Sequence, residues 1–294
     1  MTANSVDNIE VIPTGKAVGA EIRGVDLTQE LPKDVVARLT EAWSEHLVLL
    51  YRDQNLEDEH LVTLSGYFGG HQPAGARQAR RQVGIKDAGK GSSTDMRINY
   101  VSNLDDEGNP TQHNRGIGSH EIRWHSDNTY VEVPPTGTFL WAEIIPDDNT
   151  GNTLFCNQYL AYETLSDGMK AMLEGLRGKF TAAIMAKRTG HVGDVPYTFH
   201  PIVRTHPETG RKALFLSGPA TVPVLEDMSE AESRPVLDYL YAHSPKPDRS
   251  YRHQWRAGDV VMWDNRCTMH YAVHDHGDAV RIMHRVTIAG DRPA

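Results

Sequence analysis

Short segments rich in β-forming residues recur along this chain, most of them after residue 123, and they limit the folds that it can adopt. Turn residues bound these segments, and residues 206–212 (HPETGRK) have the composition of a hairpin connection. The segments comprise residues 22–27, 47–51, 138–145, 202–205, 213–216, 259–263 and 282–288. Many short strands with few helices predict a mainly β fold with flanking helices, arranged as a double-stranded β-helix, or jelly roll.

Four stretches have the periodicity or the capping residues of helices. Apolar residues recur at helical spacing after Pro32, and a second amphipathic stretch ends at the glycines of residues 69–70. Between the predicted strands, Ser166 is placed to cap a helix, and residues 229–232 carry a capping-box pattern. These helices are expected to flank the β structure.

Length and charge exclude several classes of protein. The chain has 294 residues and a formal net charge of −9, with 39% hydrophobic and 23% charged residues. This composition is typical of a folded protein with a buried core, and we predict a single domain over residues 1–294. The net negative charge argues against binding to nucleic acid, which needs a basic surface.

The sequence also bears on membrane insertion and redox compartment. It contains no run of about 18 apolar residues, so we predict no membrane span, and its N-terminus lacks the basic and apolar regions of a signal peptide. Cys156 and Cys267 lie far apart and form no C-x-x-C motif, which argues against a disulfide framework or a thiolate zinc site. We interpret both as buried apolar residues and predict a cytoplasmic location.

Residues 72–120 differ from the rest of the chain. They are rich in Gly, Ser, Asn, Arg and Lys and have few apolar residues. One interpretation is a solvated surface loop. The other, which we carry forward, is a flexible lid over an active site, since long loops in compact domains often serve function.

The strongest chemical signal is the sequence WHSD at residues 124–127. In an extended strand residues i and i+2 face the same side, so His125 and Asp127 can approach one metal ion. A third candidate ligand, His270, ends the segment WDNRCTMH, and Arg281 follows it. Two imidazoles and one carboxylate are the donor set of non-haem Fe(II) sites, and a guanidinium suits bidentate capture of a carboxylate.

Taken in order, these motifs resemble the taurine dioxygenase and 2,4-dichlorophenoxyacetate dioxygenase family of Fe(II)- and 2-oxoglutarate-dependent oxygenases. The resemblance covers nearly the whole chain. It is carried by the segments 19–22 (GAEI), 24–27 (GVDL), 51–54 (YRDQ), 67–69 (YFG), 124–127 (WHSD), 134–135 (PP), 151–153 (GNT), 263–270 (WDNRCTMH) and 281–285 (RIMHR). Collinear agreement over so many segments is far more specific than any one of them.

The resemblance implies a metal centre and a cosubstrate site. It assigns Fe(II) to His125, Asp127 and His270, and the distal carboxylate of 2-oxoglutarate to Arg281 with the hydroxyl of Thr153. With O2 as the second cosubstrate, the implied reaction hydroxylates a C–H bond of the primary substrate and releases succinate and CO2. The resemblance also places Trp263 near the metal.

For the primary substrate, the resemblance implies a small organic anion. Arg285 stands where family members place a cation against the anionic group, and His71 and Glu121 are the further candidate contacts. Taurine itself is not expected, because taurine dioxygenases carry an asparagine at the position of Glu121 and a His-rich segment where this chain has His71 alone. Because Asp127 is present, halogenation is disfavoured. Dimers or tetramers are common in the family, so a homo-oligomer is expected.

Several alternatives stay open at this point. Arg285 can serve the substrate, the cosubstrate or a carboxylate beside the metal. The same cofactors can support desaturation or cyclisation of a biosynthetic intermediate. A non-catalytic jelly-roll binding module and a zinc hydrolase are the remaining classes, although no H-E-x-x-H helix motif is present. His274, His276 and His284 are interpreted as surface residues or as residues beside the site.

Overall fold

The structure, a computed structural model, describes residues 3–72, 97–105, 107–110, 123–189 and 194–294. The strands are β1 (Glu10–Pro13), β2 (Ala20–Arg23), β3 (Val48–Tyr51), β4 (His71–Gln72), β5 (Asn99–Ser102), β6 (Gly137–Ile144), β7 (Thr153–Asn157), β8 (Arg177–Thr181), β9 (Tyr197–Pro201), β10 (Val203–Thr205), β11 (Lys212–Leu214), β12 (Ser250–His253), β13 (Val260–Asp264), β14 (Thr268–Ala272) and β15 (Ile282–Ile288). The helices are α1 (Lys33–His46), α2 (Asp58–Tyr67), α3 (Gln158–Glu163), α4 (Asp167–Leu173), α5 (Ala183–Thr189) and α6 (Glu230–His243), with 3-10 turns at Val6–Asn8 and Pro247–Arg249.

Two sheets form the centre of the fold. Within the described residues, the larger sheet has eight strands in the order β1-β2-β3-β13-β6-β15-β4, with β5 also paired to β15. All of its pairs are antiparallel except β2 with β3. A second sheet has the order β12-β7-β14. The predicted mainly β jelly roll with flanking helices is confirmed.

Alternation along the central strands gives the larger sheet two different faces. On its outer face, Phe139, Trp141 and Val286 pack against α1 and α2 in one buried cluster. On its inner face, Leu140 and Met283 pack against Phe155 of the second sheet. Each such fully buried side chain contributes about 1.5–3 kcal/mol of hydrophobic stabilisation. The space between the two sheets is therefore a buried inner layer. The candidate metal-binding residues His125, Asp127 and His270 lie at its edge.

The predicted helices begin where their capping residues indicated, although the helix after Ser166 ends at Leu173, before the Leu176 expected within it. The Ser166 hydroxyl accepts a hydrogen bond from the Met169 amide at the start of α4, and the Ser229–Glu232 capping box begins α6. The helix α2 ends before Gly69, whose φ of 121° is strained for any residue with a side chain. Together α3, α4 and α6 cover the outer face of the second sheet.

The interval predicted as a lid is not a loop throughout. Within it, residues 99–102 form β5, which pairs with β15, and the flanking Ile98 is fully buried. Apolar residues are sparse in the interval as a whole, so no strand was predicted, and pairing with β15 together with the burial of Val101 stabilises this strand. Residues 73–96, 106 and 111–120 lie outside the described residues, and the lid and the single-domain assignment stay predictions.

Among the described residues, no helix is long and apolar enough to cross a membrane.

Candidate active site

A single β-bridge brings the two candidate metal-binding histidines together. The His125 amide donates to the His270 carbonyl at 3.0 Å, and the His270 amide donates back to the His125 carbonyl at 2.8 Å. The strand predicted around His125 is therefore only one bridge long. The chain then turns, with Asn128 at a φ of 48°, and this turn, not an extended strand, places Asp127 beside both imidazoles.

The ligand atoms of His125, Asp127 and His270 all lie within 4.8 Å of one another. The Nε2 of His270 is 4.0 Å from the Oδ1 of Asp127. The Nδ1 of His125 lies 2.7 Å from the carbonyl oxygen of Arg123. Since a carbonyl only accepts, Nδ1 carries the proton and Nε2 carries the lone pair that a metal ion needs.

The carboxylate of Asp127 is buried and held at both oxygens. The Thr138 hydroxyl donates to Oδ2 at 2.8 Å, and Nη1 of Arg285 donates to Oδ1 at 3.1 Å. Burial by itself would raise the pKa of Asp127, but Arg285 and the two nearby histidines hold the pKa below its ordinary value. Asp127 is therefore an anion across the physiological range.

Arg285 lies on the inner face of β15, and its guanidinium reaches Asp127. Of the roles left open for it, contact with a carboxylate of the candidate metal site is the one present in the structure. Tyr130 lies in the same environment. Burial raises the pKa of Tyr130 to about 12, with a smaller opposing effect from Arg285. Sequence reasoning did not single out Tyr130.

Arg281 and Thr153 border the same inner layer. Thr153 pairs with Ala272 and Phe155 pairs with His270, so Thr153 lies on the face of its sheet that carries His270. The Nε of Arg281 donates to the carbonyl of Gly151, two residues before Thr153, at 3.2 Å.

Gly151 explains part of the GNT motif. It has a φ of 68°, and a Cβ at this position would lie 3.1 Å from the Cδ of Arg281. A glycine is required here for two reasons: the backbone conformation is left-handed, and the Arg281 side chain packs directly on it.

Two tryptophans contact the predicted site residues. The ring of Trp263 packs on the candidate ligand His270 with 4.8 Å between centroids. The indole Nε1 of Trp255 donates to the Thr153 hydroxyl oxygen at 3.0 Å. Sequence reasoning missed Trp255, because the contact joins residues 102 positions apart and leaves no local pattern.

The other predicted residues are placed as follows. His71 is exposed on β4 and, among the described residues, makes no hydrogen bond or ion pair to this cluster. Glu121 lies outside the described residues. His284 points to the outer face of β15, where its ring nitrogens meet Asp58 and Glu143. It is therefore not part of the site.

A second group of donors, which the sequence analysis did not identify, lies nearby. The ligand atoms of His206, Asp264 and Cys267 are also within 4.8 Å of one another and are buried. Here the Asp264 carboxylate accepts hydrogen bonds from Nε and Nη2 of Arg266 and contacts Nε2 of His206. An arginine and a histidine already occupy the oxygens of this carboxylate.

Comparison with known proteins identifies the family of this chain. The family model described as "Taurine catabolism dioxygenase TauD, TfdA family" matches residues 10–287. The chain belongs to the TauD/TfdA dioxygenase family. The (S)-phenoxypropionate/alpha-ketoglutarate-dioxygenase of Sphingobium herbicidovorans is 31% identical over 296 residues, which cover 96% of this chain and 95% of the relative.

Two further TauD/TfdA comparisons agree. The alpha-ketoglutarate-dependent sulfate ester dioxygenase of Pseudomonas putida is 30% identical over 307 residues, covering 99% of this chain and 93% of the relative. The crystal structure of AAD-2 in complex with Mn(II) and N-oxalylglycine has a TM-score of 0.85 and 28% identity, covering 97% of this chain and 99% of that chain. This chain is a 2-oxoglutarate-dependent dioxygenase, and the cofactor set of its family is Fe(II), 2-oxoglutarate and O2.

The donor set in this TauD/TfdA chain fits a ferrous ion. Two imidazoles and one carboxylate converge within 4.8 Å. The lone pair of His125 is directed by the Arg123 carbonyl, and the carboxylate is ionised. A ferrous ion held by three protein ligands would keep coordination positions for the oxygens of 2-oxoglutarate and for O2.

Proposed function

We propose that this enzyme hydroxylates a C–H bond of a small organic anion, with Fe(II) held by His125, Asp127 and His270. The observation that supports this most directly is the convergence of these three donors within 4.8 Å. When bound, the ferrous ion would supply the O2 activation that couples decarboxylation of 2-oxoglutarate to oxidation of the substrate. The protein supplies orientation and exclusion of water from a buried layer.

The distal carboxylate of 2-oxoglutarate is assigned to Arg281 and Thr153. The hydroxyl oxygen of Thr153 accepts from the Trp255 indole, which is a donor only. Its one proton is then directed to another acceptor, and a carboxylate suits that position. Arg281 is 6% exposed, so an anion that reaches it is shielded from water and bound more strongly than at the surface.

The charge of the site supports an anionic substrate. Arg281 and Arg285 are cations, and Asp127 is an anion. With a ferrous ion and the 2-oxoglutarate dianion added, the site carries one net positive charge, which a monoanionic substrate neutralises. A guanidinium has five N–H donors, so Arg285 can serve Asp127 and a substrate anion together. The two named relatives take a phenoxypropionate and a sulfate ester, which are both anions.

His71, Glu121 and the lid over residues 72–120 are proposed as further elements of substrate binding. Their test is substitution of His71 and Glu121 by Ala. If they contact substrate, KM for the primary substrate rises while KM for 2-oxoglutarate stays unchanged. Equal changes in both constants would count against a substrate contact.

Succinate formation tests the proposed reaction. The Fe(II)-loaded enzyme is given 2-oxoglutarate, O2 and a panel of aryloxyalkanoates, alkyl sulfates, sulfonates and carboxylates, with the neutral methyl ester of each carboxylate as its matched control. We expect succinate to rise with at least one anion and not with its ester. Turnover of esters alone would overturn the anion assignment.

The product distinguishes hydroxylation from the alternatives. Mass spectrometry should find one added oxygen atom, derived from labelled O2, in the substrate or in the fragments of an unstable alcohol. Loss of two hydrogens without added oxygen would instead support desaturation or cyclisation. The panel and the labelled product together also exclude or support the non-catalytic binding module, which forms no succinate.

Two further proposals concern the cellular location and the oligomeric state. Cys156 and Cys267 are both buried free thiols, which supports a cytoplasmic location. A homo-oligomer, as a dimer or tetramer, is also proposed. Light scattering of the purified chain measures its mass directly, and a monomer at working concentration would contradict it.

A further inference from the structure

Asn265 lies behind the candidate metal ligands and is linked to two of them. Its Nδ2 donates to the Thr138 hydroxyl oxygen at 2.9 Å, and Thr138 in turn donates to Oδ2 of Asp127 at 2.8 Å. Its Oδ1 accepts from the Trp263 indole Nε1 at 2.9 Å, and the Trp263 ring packs on His270. Asn265 and Thr138 are almost fully buried, at 2% and 0% exposed.

The chemistry of the groups fixes the direction of every bond in this chain. An indole N–H can only donate, so the oxygen of the Asn265 amide must face Trp263. The amide NH2 then faces Thr138, and an NH2 can only donate, so the Thr138 oxygen accepts. Thr138 has one hydroxyl proton left, and its other partner is Asp127 Oδ2, which accepts it. No alternative assignment satisfies all four groups.

One consequence concerns the two oxygens of Asp127. Oδ2 is held by the neutral hydroxyl of Thr138, on the side of Asn265. Oδ1 is the oxygen that lies 4.0 Å from Nε2 of His270. Arg285 also donates to Oδ1, at 3.1 Å. The chain through Thr138 and the Arg285 contact thus hold the two oxygens from opposite partners, and Oδ1 is the oxygen that faces the imidazoles.

We propose that Asn265 and Thr138 are positioning residues that orient the Asp127 carboxylate for metal binding, and that Asn265 couples this orientation to the packing of Trp263 on His270. The proposal rests on the assignment of Asp127 and His270 as metal ligands under the proposed function. It also gives the asparagine of the WDNR segment a role. Hydrogen-bond partners of metal ligands of this kind typically change metal affinity about 10–100-fold when removed.

The experiment measures Mn(II) binding to the metal-free full-length chain, followed by loss of the free-ion electron paramagnetic resonance signal. Thr138→Val removes the hydroxyl with little change in shape, and Thr138→Ser restores it. Thr287→Val is the matched control, because Thr287 pairs with Thr138 across β15 and β6 and is equally buried, yet its hydroxyl donates to the Gln72 carbonyl.

The expected result is a dissociation constant for Mn(II) raised about 10–100-fold in Thr138→Val. Thr138→Ser and Thr287→Val should stay within about threefold of the wild type. Asn265→Ala should weaken binding in the same direction, because Thr138 loses the donor that fixes its proton. The visible absorption band of the anaerobic Fe(II)–2-oxoglutarate complex should shift in Thr138→Val and return in Thr138→Ser.

Two results would overturn the proposal. One is wild-type affinity in Thr138→Val. The other is affinity in Thr138→Ser as weak as in Thr138→Val, since the hydroxyl would then not be the cause. If Thr138→Val does not fold, Thr138→Ala replaces it, and its difference from Thr138→Ser isolates the hydroxyl. Failure of the metal assignment itself is distinguishable, because His270→Ala would then bind Mn(II) like the wild type.

Discussion

Two clusters among the described residues each place a histidine, an aspartate and a third donor at similar spacing, and we propose only one of them as a metal site. His125, Asp127 and His270 form the first, and His206, Asp264 and Cys267 form the second. In each the ligand atoms lie within 4.8 Å, and each contains a buried aspartate beside an arginine. Spacing and the buried aspartate therefore do not separate them, although the third donor is a histidine in the first cluster and a cysteine in the second.

The difference lies in what already occupies the donors. In the second cluster, Arg266 donates to Asp264 through Nε and Nη2 as well as its backbone amide. His206 is engaged at both nitrogens, by Asp264 at Nε2 and by the Thr209 amide at Nδ1. In the first cluster, Nδ1 of His125 donates its proton to the Arg123 carbonyl, so the lone pair of Nε2 is directed at the cluster. Both carboxylates are hydrogen-bonded at both oxygens, since Asp127 accepts from Thr138 and Arg285. The histidine nitrogens, and not the carboxylates, therefore distinguish the two clusters.

The largest expected effect concerns metal binding. His270→Ala should weaken Mn(II) binding more than about 100-fold, because it removes a ligand, and even outer partners cost 10–100-fold. His206→Ala is the matched variant in the second cluster and should leave the Mn(II) dissociation constant within about threefold. Titration of the wild type should give one ion per chain. Two ions per chain, or loss of binding in His206→Ala, would mean that the second cluster also binds metal.

The next effect concerns the free energy of unfolding, for which a substitution in the second cluster should have the larger effect. In the metal-free protein, Asp264→Asn should lower the free energy of unfolding by about 3–5 kcal/mol, because it leaves Arg266 and His206 without their buried anion. Asp127→Asn, which removes one arginine contact, should cost less, about 1–3 kcal/mol. Urea unfolding of both variants measures the difference. A larger loss in Asp127→Asn would show that the second cluster is not the more strongly bonded one.

The same contrast should appear on acidification. Burial alone would raise the pKa of Asp264, but Arg266 and His206 lower it well below its ordinary value. A depressed pKa gives stability that is present above the ordinary aspartate pKa and is lost as the pH falls through the folded-state value. In the metal-free protein, the stability difference between wild type and Asp264→Asn should therefore shrink below about pH 4. A difference independent of pH would contradict the ion pair.

The sequence predicted the fold where local chemistry decides it. The helix starts at Ser166 and Ser229 depend on hydrogen bonds to residues three positions away, and both were predicted. The strand β7 was missed, and it is stabilised by pairing with β12 and β14 on either side. The stability of this strand comes from the two strands paired with it, and a short stretch of sequence does not show which strands will pair.

For the candidate site as well, sequence predicted the residues themselves but not the long-range contacts that orient them. Residue types in order along the chain predicted that His125, Asp127 and His270 converge, although the strand expected at His125 is a bridge followed by a turn. The contacts that orient the ligands were not predicted. Asn265 and Thr138 are 127 positions apart, and nothing in either local segment indicates that they meet.

The smallest expected effect concerns Cys267, and it tests whether the second cluster is inaccessible to a thiol reagent and does not bind Mn(II). Burial raises the pKa of the Cys267 thiol well above its ordinary value, so little thiolate is present at pH 8 and a thiol reagent should react slowly with the native protein. Cys267→Ala should lower the free energy of unfolding by about 1 kcal/mol and leave Mn(II) affinity unchanged. Cys156→Ala is the control, since Cys156 is equally buried and outside both donor clusters. If Cys267→Ala weakened Mn(II) binding and Cys156→Ala did not, the second cluster would be contributing to the metal site, and the engagement of both His206 nitrogens would not be what separates the two clusters.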